Sequence, residues 1–297
     1  MKVLLTGASG FLGKCILQSL SINQNVHTLG RSECDYSTDL SKDIPKFESS
    51  FDLVIHAAGK AHLTPKTKDE RDSFFLTNLK GTQFLLKGLE RVGLPKQFVF
   101  ISSVSVYGIS EGILINEDSP LIASDPYGKS KIQAEMLVID WCLKNCVICT
   151  ILRLPLIVGD NPPGNLSAMI KGIARGYYYN IGGGYAKKSM VLGEDIAKHI
   201  IVAAKVGGIY NLTDGYHPSF YELSHHIGNQ LYKRKVPNIS FSIAKLIAKA
   251  GDLLGEKFPI NSDKLSKITS TLTFDDSKAR RAFGWNPTPV LQGFKIS

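Results

Sequence analysis

Cysteine is sparse in this chain of 297 residues, and long apolar runs are missing. The five cysteines, Cys15, Cys34, Cys142, Cys146 and Cys149, are odd in number and irregular in spacing. That is a poor disulfide framework. Cys142, Cys146 and Cys149 lie close together in sequence. They run from a predicted helix into an apolar strand with no histidine nearby, so buried thiols are expected there and no metal. His217, His225 and His226 also lack the partners of a metal site and read as ordinary residues. No stretch approaches the roughly 20 apolar residues of a membrane span. The apolar start, Met1 to Leu5, stops at Thr6-Gly7, too short for the core of a signal peptide. A cytoplasmic protein is the expectation. Acids are outnumbered, 26 against 35 lysines and arginines, for a net charge of +9. The basic residues are scattered and form no block, so nucleic acid is not an expected partner. The excess charge fits either a basic surface or attraction to an anionic ligand or surface. Low-complexity tracts and internal repeats are lacking too.

What is present is an ordinary soluble composition, 43% hydrophobic and 21% charged. The length suits one large domain, alone or with a smaller appendage. Short apolar strands are predicted at residues 3–6, 26–29, 53–55, 97–101 and 147–152. Helical periodicity follows at Leu12, Ile16, Leu17 and Leu20, over about 68–92, and over about 126–142. Strand and helix alternate, which predicts an α/β fold with a doubly wound parallel sheet of Rossmann type. The alternation weakens after Arg153, where Pro155, Pro162, Pro163 and Gly182 to Gly184 punctuate the chain. The expected organisation is a dinucleotide-binding domain over 1–160, its sheet completed by a strand near 208–211, and a smaller mixed substrate-binding part over 161–297. Ligands are expected in the crevice between them. Helices are predicted at about 219–231 and 243–254. The second carries Ile243, Leu246, Ile247 and Ala250 with Lys245 and Lys249 between. Packing on the fold or on a partner subunit is the expected use of that face, with a membrane surface as the sharper alternative.

Two local patterns carry chemistry. Gly7, Gly10 and Gly13 follow the first strand and open a helix. Glycines there allow a tight turn and close approach of a pyrophosphate, which the helix N-terminus then attracts. Arg31 stands at the end of the second strand, where a guanidinium can hold a 2′-phosphate. It tilts the cofactor toward NADP(H) over NAD(H), although Glu33 could reach a ribose. Tyr127 and Lys131 are four residues apart and share a helix face. A cation beside a phenol lowers its pKa toward a useful value, so Lys131 is expected to pull Tyr127 down. Taken alone, such a pair is more often a surface accident.

In that order and spacing the motifs resemble the extended short-chain dehydrogenase/reductase family, and within it the nucleotide-sugar epimerases, dehydratases and reductases. The resemblance runs through Thr6 to Gly13, Asp39-Leu40, His56-Ala57-Ala58-Gly59, Asn78 within Thr77 to Thr82, Ser102 to Gly108, Tyr127 to Lys131, Arg153 to Gly159, and Phe283-Gly284-Trp285 with Pro287. It implies a cofactor site of Gly7, Gly10, Phe11, Leu12, Gly13, Arg31, Asp39, Leu40, Ala57, Ala58, Gly59, Asn78, Tyr127, Lys131 and Pro155. It implies catalysis by Ser103, Tyr127 and Lys131, with Ser102 and Ser105 as weaker candidates for the serine. Tyr127 would exchange a proton with the sugar oxygen, Ser103 would hydrogen-bond that oxygen, and Lys131 would hold the nicotinamide ribose. Ser103, Asn165 and Lys188 would contact a nucleotide diphosphate sugar. Tyr177, Tyr178 and Tyr179 could line the pocket, with core and surface packing as their expected use.

The family's 4,6-dehydratases place an Asp-Glu pair after the catalytic hydroxyl residue. Here Val104-Ser105 stands there, which speaks against dehydration. A 4-keto reductase and a 4-epimerase in glycan precursor synthesis remain, with Arg31 favouring the reductase slightly. Two other uses stay open: a reductase of a non-nucleotide ketone or steroid, and a dinucleotide-binding sensor without catalysis. Monomer and homodimer are both open.

Overall fold

The computed structural model describes residues 1–61, 65–232, 235–254 and 260–296. The chain runs through β1 (Lys2–Thr6), α1 (Phe11–Leu20), β2 (Asn25–Gly30), β3 (Tyr36–Ser37), β4 (Leu53–His56), α2 (Lys68–Phe75), a π-helical turn (Leu76–Lys80) and α3 (Gly81–Glu90). β5 (Gln97–Ser103), a 3₁₀ turn (Val104–Tyr107), β6 (Gly112–Ile115), α4 (Pro126–Lys144), β7 (Ile148–Leu154) and β8 (Leu156–Val158) follow. Then come α5 (Gly164–Arg175), β9 (Asn180–Ile181), β10 (Met190–Leu192), α6 (Gly193–Val206), β11 (Gly208–Asn211), α7 (Phe220–Gln230), β12 (Asn238–Ile239) and α8 (Phe241–Leu254). The chain closes with α9 (Ser262–Thr269), β13 (Leu272–Phe274), α10 (Ser277–Phe283) and α11 (Val290–Gly293).

Seven strands form one parallel sheet in the order β3-β2-β1-β4-β5-β7-β11. Side chains alternate across it with the period of two that a strand imposes. Val3 and Leu5, Leu53 and Ile55, Val99 and Ile101, and Leu152 and Leu154 face the layer that holds Ile16 of α1 and Ile196 and Ile200 of α6. Leu4, Val54, Phe98, Phe100 and Ile151 face the other layer, against Leu85 and Leu89 of α3 and Val138 and Trp141 of α4. With both faces covered, the strands read as continuous apolar runs rather than as alternating ones. This is the doubly wound Rossmann sheet.

Three features differ from the sequence reading. The helix expected over 68–92 is broken by the π-helical turn around Asn78. The region after Arg153 holds further helices, α5, α6, α9, α10 and α11. Leu166, Met169 and Ile173 supply the buried stripe of α5, and its glycines mark its ends: Gly164 opens it and Gly176, at φ +78°, caps it. Cys142 is buried, but Cys146 is exposed at a turn with φ +54°.

The chain's last third also reaches back into the first core. Phe283 and Trp285 pack in the α1–α6 layer, and the Trp285 indole N–H donates to the Thr213 carbonyl at 2.9 Å. A separate core joins Leu166, Met169 and Ile173 of α5 to Leu223 and Ile227 of α7 and to Val290 and Phe294 at the C-terminal end. Tyr178 packs against it, while Tyr177 and Tyr179 are exposed.

Candidate active site

The strand order reverses between β1 and β4, and an open α/β sheet binds ligands in the crevice at the carboxyl ends of its strands at such a point. Two backbone loops meet there. Gly7 follows β1 at φ +74°, and a Cβ on it would lie 2.6 Å from the Ala58 nitrogen. Only glycine permits that approach, which sets the Gly7–Gly13 loop against Ala57-Ala58-Gly59. The loop closes with the Gly10 N–H donating to the Gly7 carbonyl at 3.0 Å. Gly10 is the N-cap of α1, no side chain caps that helix, and its first turn carries no acid. Uncapped N–H groups and the positive end of the helix dipole suit a pyrophosphate, so the residues present fit a dinucleotide. Phe11 packs beside Gly159, and Leu12 and Gly13 are buried behind the loop.

β5 delivers Ser103 to the same end of the sheet, and α4 delivers Tyr127 and Lys131. Asp125 caps α4 by accepting the Gly128 N–H at 3.0 Å, and Pro126 opens it. Gly128 sits so close to the turn after β5 that a Cβ would stand 2.4 Å from the Ala123 Cβ and 2.9 Å from the Ser105 carbonyl oxygen. That approach sets Tyr127 near Ser103, close enough for the serine hydroxyl to act on the phenol's pKa. Ser103 Oγ also bonds the hydroxyl of Ser105 at 3.1 Å and accepts its N–H at 3.2 Å.

The electrostatics depart from the expectation. Burial raises the pKa of Tyr127 above its ordinary value, Ser103 opposes the rise, and Asp125 adds to it. Lys131 does not pull the phenol down, because its ammonium points elsewhere. It donates to the Ile101 carbonyl at 2.9 Å and lies 4.6 Å from the centre of the Phe100 ring. Burial lowers Lys131 itself to about 8, and Glu135 partly offsets this. A Cβ on Gly59 would be 3.3 Å from Lys131 Nζ and 3.2 Å from Asn78 Oδ1, so the lysine lies in the wall beside the β4 loop.

Asn78 is buried behind that wall. Its Oδ1 accepts the Lys60 N–H at 2.7 Å, and its Nδ2 donates to the Lys60 carbonyl at 3.1 Å and to Ser130 Oγ at 2.9 Å. The π-helical turn thus ties the β4 loop to α4 rather than presenting an amide to the cleft. Pro155 lies between β7 and β8, partly buried. Arg31 is exposed just past β2; the Asp39 pKa is lowered mainly by hydrogen bonds from Ser41, with smaller contributions from the charges of Lys42 and Arg31. Leu40 packs on Gly81 at the start of α3. A cleft of ≈ 640 Å³ beside them is lined by Asp35, Asp39, Asp43 and Lys46 among others. Asn165 is exposed in the first turn of α5, which no side chain caps. Lys188 is half-buried beside Leu272, and burial lowers its pKa. These last two residues belong to the second half of the chain.

Two buried networks under the site escaped the sequence reading. Glu135, 1% exposed, pairs with Arg153 at 2.8 Å and accepts the Ser102 hydroxyl. Arg153 also donates to the Tyr107 hydroxyl and to the Glu117 carbonyl, both at 3.2 Å. The pair bolts α4 to β5 and β7. Its signals were Glu135 four residues beyond Lys131, on the same helix face, and a single charge in the apolar strand β7. The second network is directional. Thr82 donates to the Asn78 carbonyl at 2.6 Å, so it accepts from His56 Nε2 at 2.8 Å. His56 Nδ1 then accepts from Thr6 at 2.6 Å, and Thr6 accepts the Ala58 N–H at 3.0 Å. Burial and the charge of Lys131 lower His56 from 6.5 to about 3, so it is neutral and holds both loops in place.

The chain is similar to known proteins over most of its length. The family model described as "NAD dependent epimerase/dehydratase family" matches residues 3–213. An Escherichia coli O157:H7 relative, N-acetyl-α-D-glucosaminyl-diphospho-ditrans,octacis-undecaprenol 4-epimerase, is 28% identical over 98% of this chain and 92% of its own. GDP-6-deoxy-D-mannose reductase of Pseudomonas aeruginosa is 32% identical over 47% of each chain. The solved structure of UDP-glucose 4-epimerase from Thermotoga maritima, with UDP-glucose, superposes with a TM-score of 0.76 at 18% identity, covering 99% of this chain and 96% of that one. At that identity the likeness concerns the fold.

Proposed function

The chain belongs to the NAD dependent epimerase/dehydratase family, and from that we propose that it transfers a hydride at C4 of a diphosphate-linked sugar, with Tyr127 exchanging the proton on the C4 oxygen. What supports this reading is the nearness of Tyr127 to Ser103 at the carboxyl end of β5, beside the Gly7–Ala58 junction. A bound nicotinamide would supply or accept the hydride. Gly7 to Gly13 and Ala57 to Gly59 would hold its dinucleotide. Ser103 would fix the sugar oxygen, and Tyr127, kept protonated by burial, is poised to donate to that oxygen. Lys131, near 8, supplies a cation that can turn from the Ile101 carbonyl toward a ribose. Asn165 and Lys188 are the proposed contacts for the diphosphate side, Lys188 because a half-buried ammonium gains from an anionic partner.

Two forms of the reaction fit. A resting neutral phenol and the exposed Arg31 support a 4-keto reductase that exchanges NADPH. The full-length relative from Escherichia coli supports a 4-epimerase that keeps its NAD. That relative's name gives a sugar joined through diphosphate to undecaprenol, so the carrier proposed here is a nucleotide or a polyprenol. Denaturing the purified protein and identifying the released nucleotide separates the two forms. Retained NAD means an epimerase, and an empty site that takes up NADPH means a reductase. Uridine diphosphate is expected to raise the thermal midpoint. Failure to do so would move the substrate to a non-nucleotide ketone or a purely lipid-linked sugar.

A further inference from the structure

Helix α8 buries the wrong residues for a core helix. Ala244 and Ala248 meet Leu265 of α9, with Ile181 and Ile239 beside them, and Gly251 is buried with them. These small side chains occupy one narrow face. At 100° per residue, Ile243, Leu246, Ile247, Ala250 and Leu253 fall on a continuous stripe beside it. That stripe faces solvent, with Leu246 71% and Leu253 90% exposed. Lys245 and Lys249 run along the stripe's other edge, both exposed. The one acid of α8, Asp252, is taken up by α9, accepting the Ser262 N–H at 2.9 Å and its hydroxyl at 2.5 Å. Aromatic rings stand at the helix's start. Phe241 is exposed and touches Gly182, and Tyr185, 76% exposed, covers Gly183.

We infer that α8 docks this chain onto an anionic phospholipid surface, its apolar stripe entering the headgroup region and Lys245 and Lys249 meeting lipid phosphates. The arrangement is that of a helix lying in the interface plane, with apolar residues down and lysines at the rim. The chain's net charge of +9 complements such a surface. A second copy is the poorer occupant. Antiparallel pairing across a two-fold axis would set Lys245 and Lys249 against their own equivalents. Docking would also bring the sugar-handling end to the bilayer. Lys188 is six positions beyond Gly182, so the start of α8 lies within roughly 20 Å of that lysine's backbone. This goes beyond the proposed reaction and does not depend on it.

The test is flotation of the full chain with vesicles, scored by bound protein and independent of turnover. The expected result is binding to vesicles of equal parts phosphatidylglycerol and phosphatidylcholine, and little to phosphatidylcholine alone. Leu246→Asp, on an exposed side chain, should weaken binding by roughly tenfold or more with an unchanged urea midpoint. The Lys245→Glu/Lys249→Glu variant should lose the preference for anionic lipid. Leu143→Asp, equally exposed at the far end of α4, should bind as the parent does. Absence of parent binding to anionic vesicles would overturn the inference, as would equal binding by Leu246→Asp. So would a dimer in light scattering that Leu246→Asp converts to monomer.

Discussion

Replacing Glu135 by alanine removes the carboxylate that holds the candidate catalytic helix to the sheet. Glu135 and Arg153 are almost wholly buried, at 1% and 4% side-chain exposure. Arg153 would lose its Nη2 bond at 2.8 Å and the Nε bond shared between both carboxylate oxygens at 3.2 Å. The Ser102 hydroxyl would lose its acceptor. Only the bonds to Tyr107 and Glu117 would remain to the guanidinium. Two charge-assisted bonds at ~1.5–3 kcal/mol each, and a buried cation left without its partner, set the loss at about 3–5 kcal/mol. Urea unfolding, read as a fall in midpoint at constant slope, measures it. The companion Glu135→Leu/Arg153→Met removes both charges together and should recover most of the loss, because a well-packed apolar pair replaces a buried ion pair at little cost. A single variant that loses less than about 1 kcal/mol, or a double variant as unstable as the single one, would refute the reasoning.

Further outcomes follow from the same geometry. Gly128→Ala forces a Cβ against Ala123 and the Ser105 carbonyl; it should cost about 1–3 kcal/mol and lower turnover more than a distant variant of equal stability, as matched urea and rate measurements would show. His56 is depressed to about 3 in the fold, so the unfolded chain takes its proton first as pH falls below 6.5, and stability is lost from there down toward 3. By pH 5 that loss is ~2 kcal/mol; urea midpoints at pH 7 and pH 5 should fall further apart in the parent than in His56→Gln, and equal falls would exclude His56 as the source. Arg31→Glu should weaken NADPH by roughly tenfold or more in a binding titration and spare NADH; equal effects on both would remove Arg31 from the 2′-phosphate.

The sheet was legible because two-sided burial makes strands such as Val3–Leu5 and Leu53–Ile55 continuous apolar runs. The glycine loop was legible because a backbone junction leaves a spacing signature. α5 and α6 were not, since the prolines and glycines that flank them read as breakers rather than as ends. Tyr127, Lys131 and Ser103 could be listed from spacing and resemblance, but their electrostatics could not. Whether an ammonium faces a phenol or a carbonyl depends on how α4 packs on β5, and the Ile101 carbonyl takes it here. The Glu135–Arg153 pair joins residues 18 apart in sequence, on a helix and on a strand, and its two separate local signals do not say that the two side chains meet.

In the proposed reaction Tyr127 handles the proton on the sugar oxygen beside a bound nicotinamide. Its most direct test is Tyr127→Phe, with nucleotide binding followed by titration and hydride transfer followed by the near-ultraviolet absorbance of the reduced nicotinamide on adding a nucleotide sugar. The expected result is unchanged nucleotide affinity and a rate lower by ~10²–10⁴-fold. A variant that binds nucleotide and still transfers hydride at the parent rate would contradict it.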